Sequence, residues 1–174
     1  GPAMFPEIPD AAIEANTDRQ SVWKTSLPEE RSRRTIYGFI KRGLVVPMLE
    51  VFDLCDTVNS TSRRPVTTVA PQALTLFNGE CANEQARHMA NRLVREAGPR
   101  PADQIHLAFR LALTRPPTPV EFDSMLRFLE TETRAAKDLS VASNQTPASI
   151  SPERAALDQL CRVVLNLNEF VYLD

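Results

Sequence analysis

The sequence predicts a mainly α fold: a compact four-to-five-helix bundle preceded by a long irregular segment with at most a short β element. Three observations carry this prediction. From about residue 71 onward, apolar side chains recur at helical spacing. Prolines (14 against only 5 glycines) sit where elements must start or stop sharply. Residues 5–66, by contrast, are broken by proline and turn-forming residues with no sustained period. The chain has 174 residues, 43% hydrophobic and 24% charged, which suits one soluble domain with a proper core.

Gly1-Pro2-Ala3-Met4 reads as a cloning scar, and residues 5–28 as a weakly ordered arm broken at Phe5-Pro6, Ile8-Pro9 and Leu27-Pro28. Trp23 is the only tryptophan and is expected to anchor this arm. Ser26-Leu27-Pro28-Glu29 has the form of a capping box, so a short helical turn is expected there. Residues 29–174 then read as one helical domain. In residues 33–42, Thr35, Tyr37 and Phe39 alternate with Ile36, Gly38 and Ile40, which favours a short strand or extended segment; the flanking basic residues would also suit an amphipathic helix. Pro47 to Phe52 reads as one or two helical turns with proline in the first. Residues 53–66 are loop, rich in Asp, Asn, Ser and Thr.

The rear of the chain is helical. Pro71–Phe77 is a short helix ending at the Asn78-Gly79 turn. A second helix runs from about Glu80 to Ala97, with Ala82, Ala86, Met89, Ala90, Leu93 and Val94 on one stripe, and Gly98-Pro99 ends it. A third spans about Pro101 to Thr114, with Ile105, Ala108, Phe109 and Ala112 inward. Thr118-Pro119-Val120-Glu121 is the best local signal: threonine caps, proline takes the first helical position, and glutamate reaches back. A polar linker is expected at about 138–150. Ser151-Pro152 opens the last helix, which carries Leu157, Leu160, Cys161, Val164, Leu165 and Leu167. Gln72, Asn78 and Asn166 read as fasteners of caps and loops. Stripes this apolar must be buried, so the last four helices should pack as an antiparallel bundle.

Composition excludes several functions. A net charge of −2 gives no global field for nucleic acid, and no apolar run is long enough for membrane insertion. Few glycines argue against phosphate-cradling loops. The 3 cysteines, Cys55, Cys81 and Cys161, form no disulfide framework, though a Cys55–Cys81 bridge stays open. No Cys-x-x-Cys-His is present, so this stretch does not attach haem c by that motif. His88 and His106 lie far apart with no metal-ligand spacing, so neither metal site nor catalytic residue is assigned.

One cluster carries chemistry. Arg31, Arg33, Arg34, Lys41, Arg42, Arg63 and Arg64 face only Glu50, Asp53 and Asp56 as acids between residues 31 and 64. Guanidinium groups grip carboxylate, sulfate or phosphate by paired hydrogen bonds. Arg33, Arg34, Arg42, Arg63, Arg64 and Asp53 are therefore candidates for binding an anion or an acidic partner. The competing reading is internal bracing, with Arg34 or Arg64 paired to Asp53 and to loop carbonyls. Bracing of that kind predicts that Arg34→Ala costs roughly 2–4 kcal/mol through an orphaned buried partner.

Arg33-Arg34-Thr35-Ile36-Tyr37, Lys41-Arg42, Phe52-Asp53, Arg63-Arg64 with Thr67-Thr68, and Pro71-Gln72-Ala73-Leu74-Thr75-Leu76-Phe77-Asn78 occur in a specific order. They are followed by Glu84-Gln85-Ala86, Ala112 through Thr118, and Leu165 through Phe170. Over roughly residues 20–174 this set resembles the planctomycete-specific domain of unknown function at the C-terminal end of large, cytochrome-c-like proteins. The resemblance implies a periplasmic or secreted multidomain parent, with haem c carried elsewhere in it, and it assigns no catalytic residue. The expected function is a non-catalytic interaction or structural module whose partners are the other domains of the parent or an acidic polysaccharide. The alternative is an accessory part of an enzyme or electron-transfer protein acting on carbohydrate, with an anion-binding arginine face.

Overall fold

A computed structural model of the chain describes residues 1–14, 23–31, 33–41, 43–56, 59–63, 67, 70–142 and 150–172. The described residues are mainly α-helical, and they contain only isolated β-bridges, Met4 with Gly38 and Lys41 with Leu44. The chain divides into two compact units, Gly1–Gln72 and Ala73–Asp174. The sequence reading placed a boundary near residue 29.

The first unit holds short elements: α1 (Asp10–Glu14), α2 (Pro28–Arg31), a 3-10 turn (Thr35–Tyr37), α3 (Pro47–Val51) and the opening residues of α4 (Ala70–Asn78). Proline begins α2 and α3, where a missing N–H costs nothing. The segment expected to be a short strand or extended, with a helix as the alternative, makes a 3-10 turn at Thr35–Tyr37 and single β-bridges at Gly38 and Lys41; in the turn the Tyr37 and Gly38 N–H groups bond back to the carbonyls of Arg34 and Thr35. Alternation there does not reflect a two-sided sheet, because Thr35, Ile36, Tyr37, Phe39 and Ile40 are all exposed. Ile8, Trp23, Leu44 and Val46 form a small apolar cluster with Phe5, Ile13 and Leu49 around it. Trp23 anchors it as expected: its Nε1 donates to the Pro6 carbonyl at 2.8 Å, and its ring meets Phe5 edge-on at 5.3 Å. Ser26 does not complete a capping box. Its hydroxyl accepts from the Phe5 N–H at 3.0 Å, and α2 is initiated from the Leu27 carbonyl. Met4 is buried and pairs with the Tyr37–Phe39 backbone.

The second unit contains α5 (Glu80–Ala97), α6 (Pro101–Leu113), α7 (Pro119–Ala142), α8 (Pro152–Val164) and α9 (Asn168–Val171). α5 packs on α6 and α8, α7 packs on the same two, and α6 touches α8. This is the expected bundle. Leu93, Ile105, Phe109, Leu160, Cys161 and Val164 are its largest fully buried side chains. Each large apolar side chain so buried contributes roughly 1.5–3 kcal/mol relative to exposure.

The helix ends follow local chemistry. Gly98 ends α5 at φ 73°, a region that side chains disfavour, and its N–H bonds the Val94 carbonyl. Gly79 is required by space, since a Cβ there would lie 2.3 Å from the Thr75 carbonyl oxygen. At α7 the box is formed as read from sequence. The Thr118 N–H donates to Glu121 Oε2 at 2.7 Å, and the Glu121 N–H donates to Thr118 Oγ1 at 3.3 Å. Ser151 caps α8 by accepting from the Arg154 N–H. α7 continues to Ala142, into the segment read as linker, because no proline or glycine stops it before that point. Positions 143–149 lie outside the described residues.

Candidate functional site

The basic cluster belongs to the first unit, and its described members differ in their partners. Arg42 and Arg64 lie outside the described residues. Arg33 braces the fold: its Nη1 donates to the Pro2 carbonyl at 3.0 Å. Arg31, on α2, forms an ion pair with Glu7. Arg34 and Arg63 are exposed, and neither side chain bonds to another described residue. Of the two arginines expected to pair with Asp53, Arg34 does not reach it and Arg64 lies outside the described residues. Arg34 sits at the start of the 3-10 turn in an extended conformation, and its side chain stays in solvent.

Asp53 has a different task. It follows α3 with φ 57°, a left-handed conformation that aspartate tolerates better than most residues. Its carboxylate accepts from the Thr67 N–H at 2.7 Å and from the Thr67 hydroxyl at 2.8 Å. Gln72, buried on α4, donates to the Val51 carbonyl at 3.0 Å and to Thr67 Oγ1 at 3.2 Å. Asp53, Thr67 and Gln72 thus close the loop that leaves α3. This is fastening, as expected for Gln72. The other loop aspartate, Asp56, accepts from Asn59 Nδ2 at 2.6 Å.

What the segment does expose is apolar. Ile36 is 81% exposed, and Tyr37, Phe39, Ile40 and Met48 are also exposed. Phe39 stacks on Phe5 at 4.7 Å, which fixes its ring against the Trp23 cluster. A stretch of five residues therefore presents isoleucine and aromatic surface beside Arg33, Arg34 and Lys41 while its backbone is held by Met4.

The second unit contains the strongest charge constellation, and sequence reading missed it. Arg115, just after α6, donates Nη1 and Nη2 to the Glu121 carboxylate at 2.9 and 2.8 Å. Its Nε and Nη2 reach Glu169 of α9 at 2.8 and 2.6 Å. The guanidinium also lies 5.7 Å from the Phe109 ring centroid. Arg115 holds the Glu121 carboxyl down to about 2, with help from the Thr118 N–H. It also lowers Glu169, and the two carboxylates raise Arg115 itself. Every hydrogen-bonding edge of Arg115 is used within the fold, so this node holds structure. The signal was present in the paired segments Arg115–Thr118 and Leu165–Phe170, but nothing in their spacing says that they touch.

Other ionisable groups among the described residues are held by local partners or by burial. Four carboxylates are lowered, each beside a basic partner: Glu96, Glu121, Glu153 and Glu169. None of these is poised as a general acid. None of the three cysteines forms a disulfide. Burial pushes the Cys161 thiol up to about 12, which makes it a packing residue. His88 is exposed near Glu84, and His106 stacks on Phe122 at 5.1 Å. No group of three metal-ligating side chains occurs among the described residues, and no helix there is long and apolar enough to cross a membrane.

The family model described as PSD1, protein of unknown function (DUF1553), matches residues 1–129. No curated protein and no solved structure matches the chain.

Proposed function

We propose that this chain, which belongs to the PSD1 family of proteins of unknown function (DUF1553), is a non-catalytic interaction module of a multidomain periplasmic or secreted protein. Its partner is another domain of the same polypeptide, and haem c, where the parent carries it, sits in that other part. The docking surface is the exposed stretch from Arg33 to Lys41. The observation that carries this reading is Ile36 at 81% exposure within a run of exposed Tyr37, Phe39 and Ile40. Apolar surface so concentrated, with arginine at its edge, has the composition of an interface core and rim. The resemblance of the motif set to a C-terminal domain of large multidomain proteins supports the choice of partner.

The test is a calorimetric titration of this chain with the purified remainder of its polypeptide. Wild-type protein binds. Ile36→Asp, at a position that contributes nothing to the core, abolishes binding and leaves the melting temperature unchanged. Equal binding by both proteins counts against the reading.

A second reading rests on the exposed Arg34 and Arg63, which have no described partner. They suit carboxylates of an acidic polysaccharide, whether as a docking contact or as an accessory anion site of a carbohydrate-active or electron-transfer parent. Native electrophoresis through a gel containing polygalacturonate separates the two readings. Retardation lost in an Arg34→Ala, Arg63→Ala double variant supports the polysaccharide, and unretarded wild type removes it.

A further inference from the structure

The second unit has a groove of about 850 Å³. It lies over α7 and the starts of α6 and α8. Its apolar lining includes Leu126, Leu157 and Val94, the last of which is 45% exposed although its position in the sequence stripe points it inward. Concave sites of this size, mostly apolar with a few polar groups, are where small ligands bind.

The charges around the groove are selective. Lys137 Nζ pairs with Glu153 at 2.8 Å, and Arg154 Nε with Asp158 at 2.8 Å. Two lining charges remain: Glu130 and Arg134, one turn apart on α7. Both are exposed, and neither bonds to another described residue, including each other. A ligand with only a negative head would meet Glu130, and one with only a positive head would meet Arg134. A ligand carrying both charges satisfies both groups.

We propose that this groove binds a short apolar peptide with free ends, its carboxylate on Arg134, its ammonium on Glu130, and its side chains over Val94, Leu126 and Leu157. The site is independent of the docking surface on the first unit. Glu130 and Arg134 act by charge, and the apolar lining selects against polar peptides.

The experiment uses the full chain and the tripeptide Leu-Ala-Leu in three forms: free, N-acetylated and C-amidated. Titration by heteronuclear NMR reads affinity and location together, through shifts at Val94 and Leu126. The free peptide is expected to bind, and each blocked form to bind about fivefold more weakly, the scale of one exposed charge pair. Arg134→Gln should erase the cost of amidation and keep the cost of acetylation. Glu130→Gln should do the reverse. Both positions are exposed, so melting temperatures should not move. The idea fails if the three forms bind alike, if no form binds, or if decanoate binds more tightly than the free peptide, which would make the groove a site for an aliphatic anion. Val94→Glu fills the groove from a half-exposed position. Undiminished binding by that folded variant would place the peptide elsewhere and overturn the assignment.

Discussion

Arg115 and Glu169 stand 54 residues apart and meet through two hydrogen bonds, Nε to Oε1 at 2.8 Å and Nη2 to Oε2 at 2.6 Å. The same guanidinium holds Glu121 by a second fork, and Glu121 is itself fixed by the capping box at Thr118. The connection between α6 and α7, the cap of α7 and the short α9 are therefore tied at one cation. Arginine suits this role because its planar fork serves two carboxylates at once, which lysine cannot do.

Arg115→Lys should lower the melting temperature by about 2–4 °C, and Arg115→Ala by more, since exposed pairs are individually modest but here share one node. The effect depends on pH. Glu121 has a folded pKa of about 2, depressed from an ordinary value near 4.5. Its contribution is present above pH 4.5 and is lost as pH falls through 2. Glu169 is also lowered and adds to the loss in the same direction. Thermal melts from pH 6 down to pH 2 should show wild type losing more stability than Arg115→Ala below pH 4.5. Parallel curves would separate the node from the acid response.

The bundle core should be unforgiving. Phe109 is fully buried between α6 and its neighbours, so Phe109→Ala should cost about 3–5 kcal/mol by denaturant titration. Thr118→Ala, which removes only a cap hydroxyl, should cost about 1 kcal/mol.

In the first unit the arginines and the glutamine should exchange their expected ranks. Arg34→Ala should change stability by less than about 0.5 kcal/mol, because its side chain is exposed and bonds to no described residue. Gln72→Leu should cost about 1–3 kcal/mol, because it orphans the Val51 carbonyl at a buried position. Urea titrations of the two variants rank them directly.

The thiols report the same division between surface and core. Cys81 is exposed and Cys161 is fully buried with its thiol near 12. A disulfide-exchange reagent at pH 8 should label Cys81 in the native protein and reach Cys161 only after unfolding. Rapid native labelling of Cys161 would mean that α8 opens.

The rear half was legible in the sequence because its signals are local. Gly79, Gly98, Thr118 and Ser151 each carry their own reason to start or stop a helix, and periodic leucines name the buried face. The front was less legible. Alternation at residues 35–40 suggested two faces, but among the described residues the backbone there bridges to Met4 and the alternating side chains of both faces are exposed. Asp53 holds Thr67, and a hydroxyl and a backbone N–H leave no charge pattern to read. Arg115 and Glu169 carried no mark of their contact, since a tertiary ion pair has no fixed spacing. The groove beside Val94 was hidden because one residue of a regular stripe faces solvent.

The most direct measurement is hydrogen–deuterium exchange of this chain alone and within its full-length parent. Docking through the exposed isoleucine and aromatic stretch predicts that amides 35–41 slow markedly in the parent while those of α5 to α8 are unchanged. Unaltered exchange at 35–41, with new protection only on the helical bundle, would contradict it.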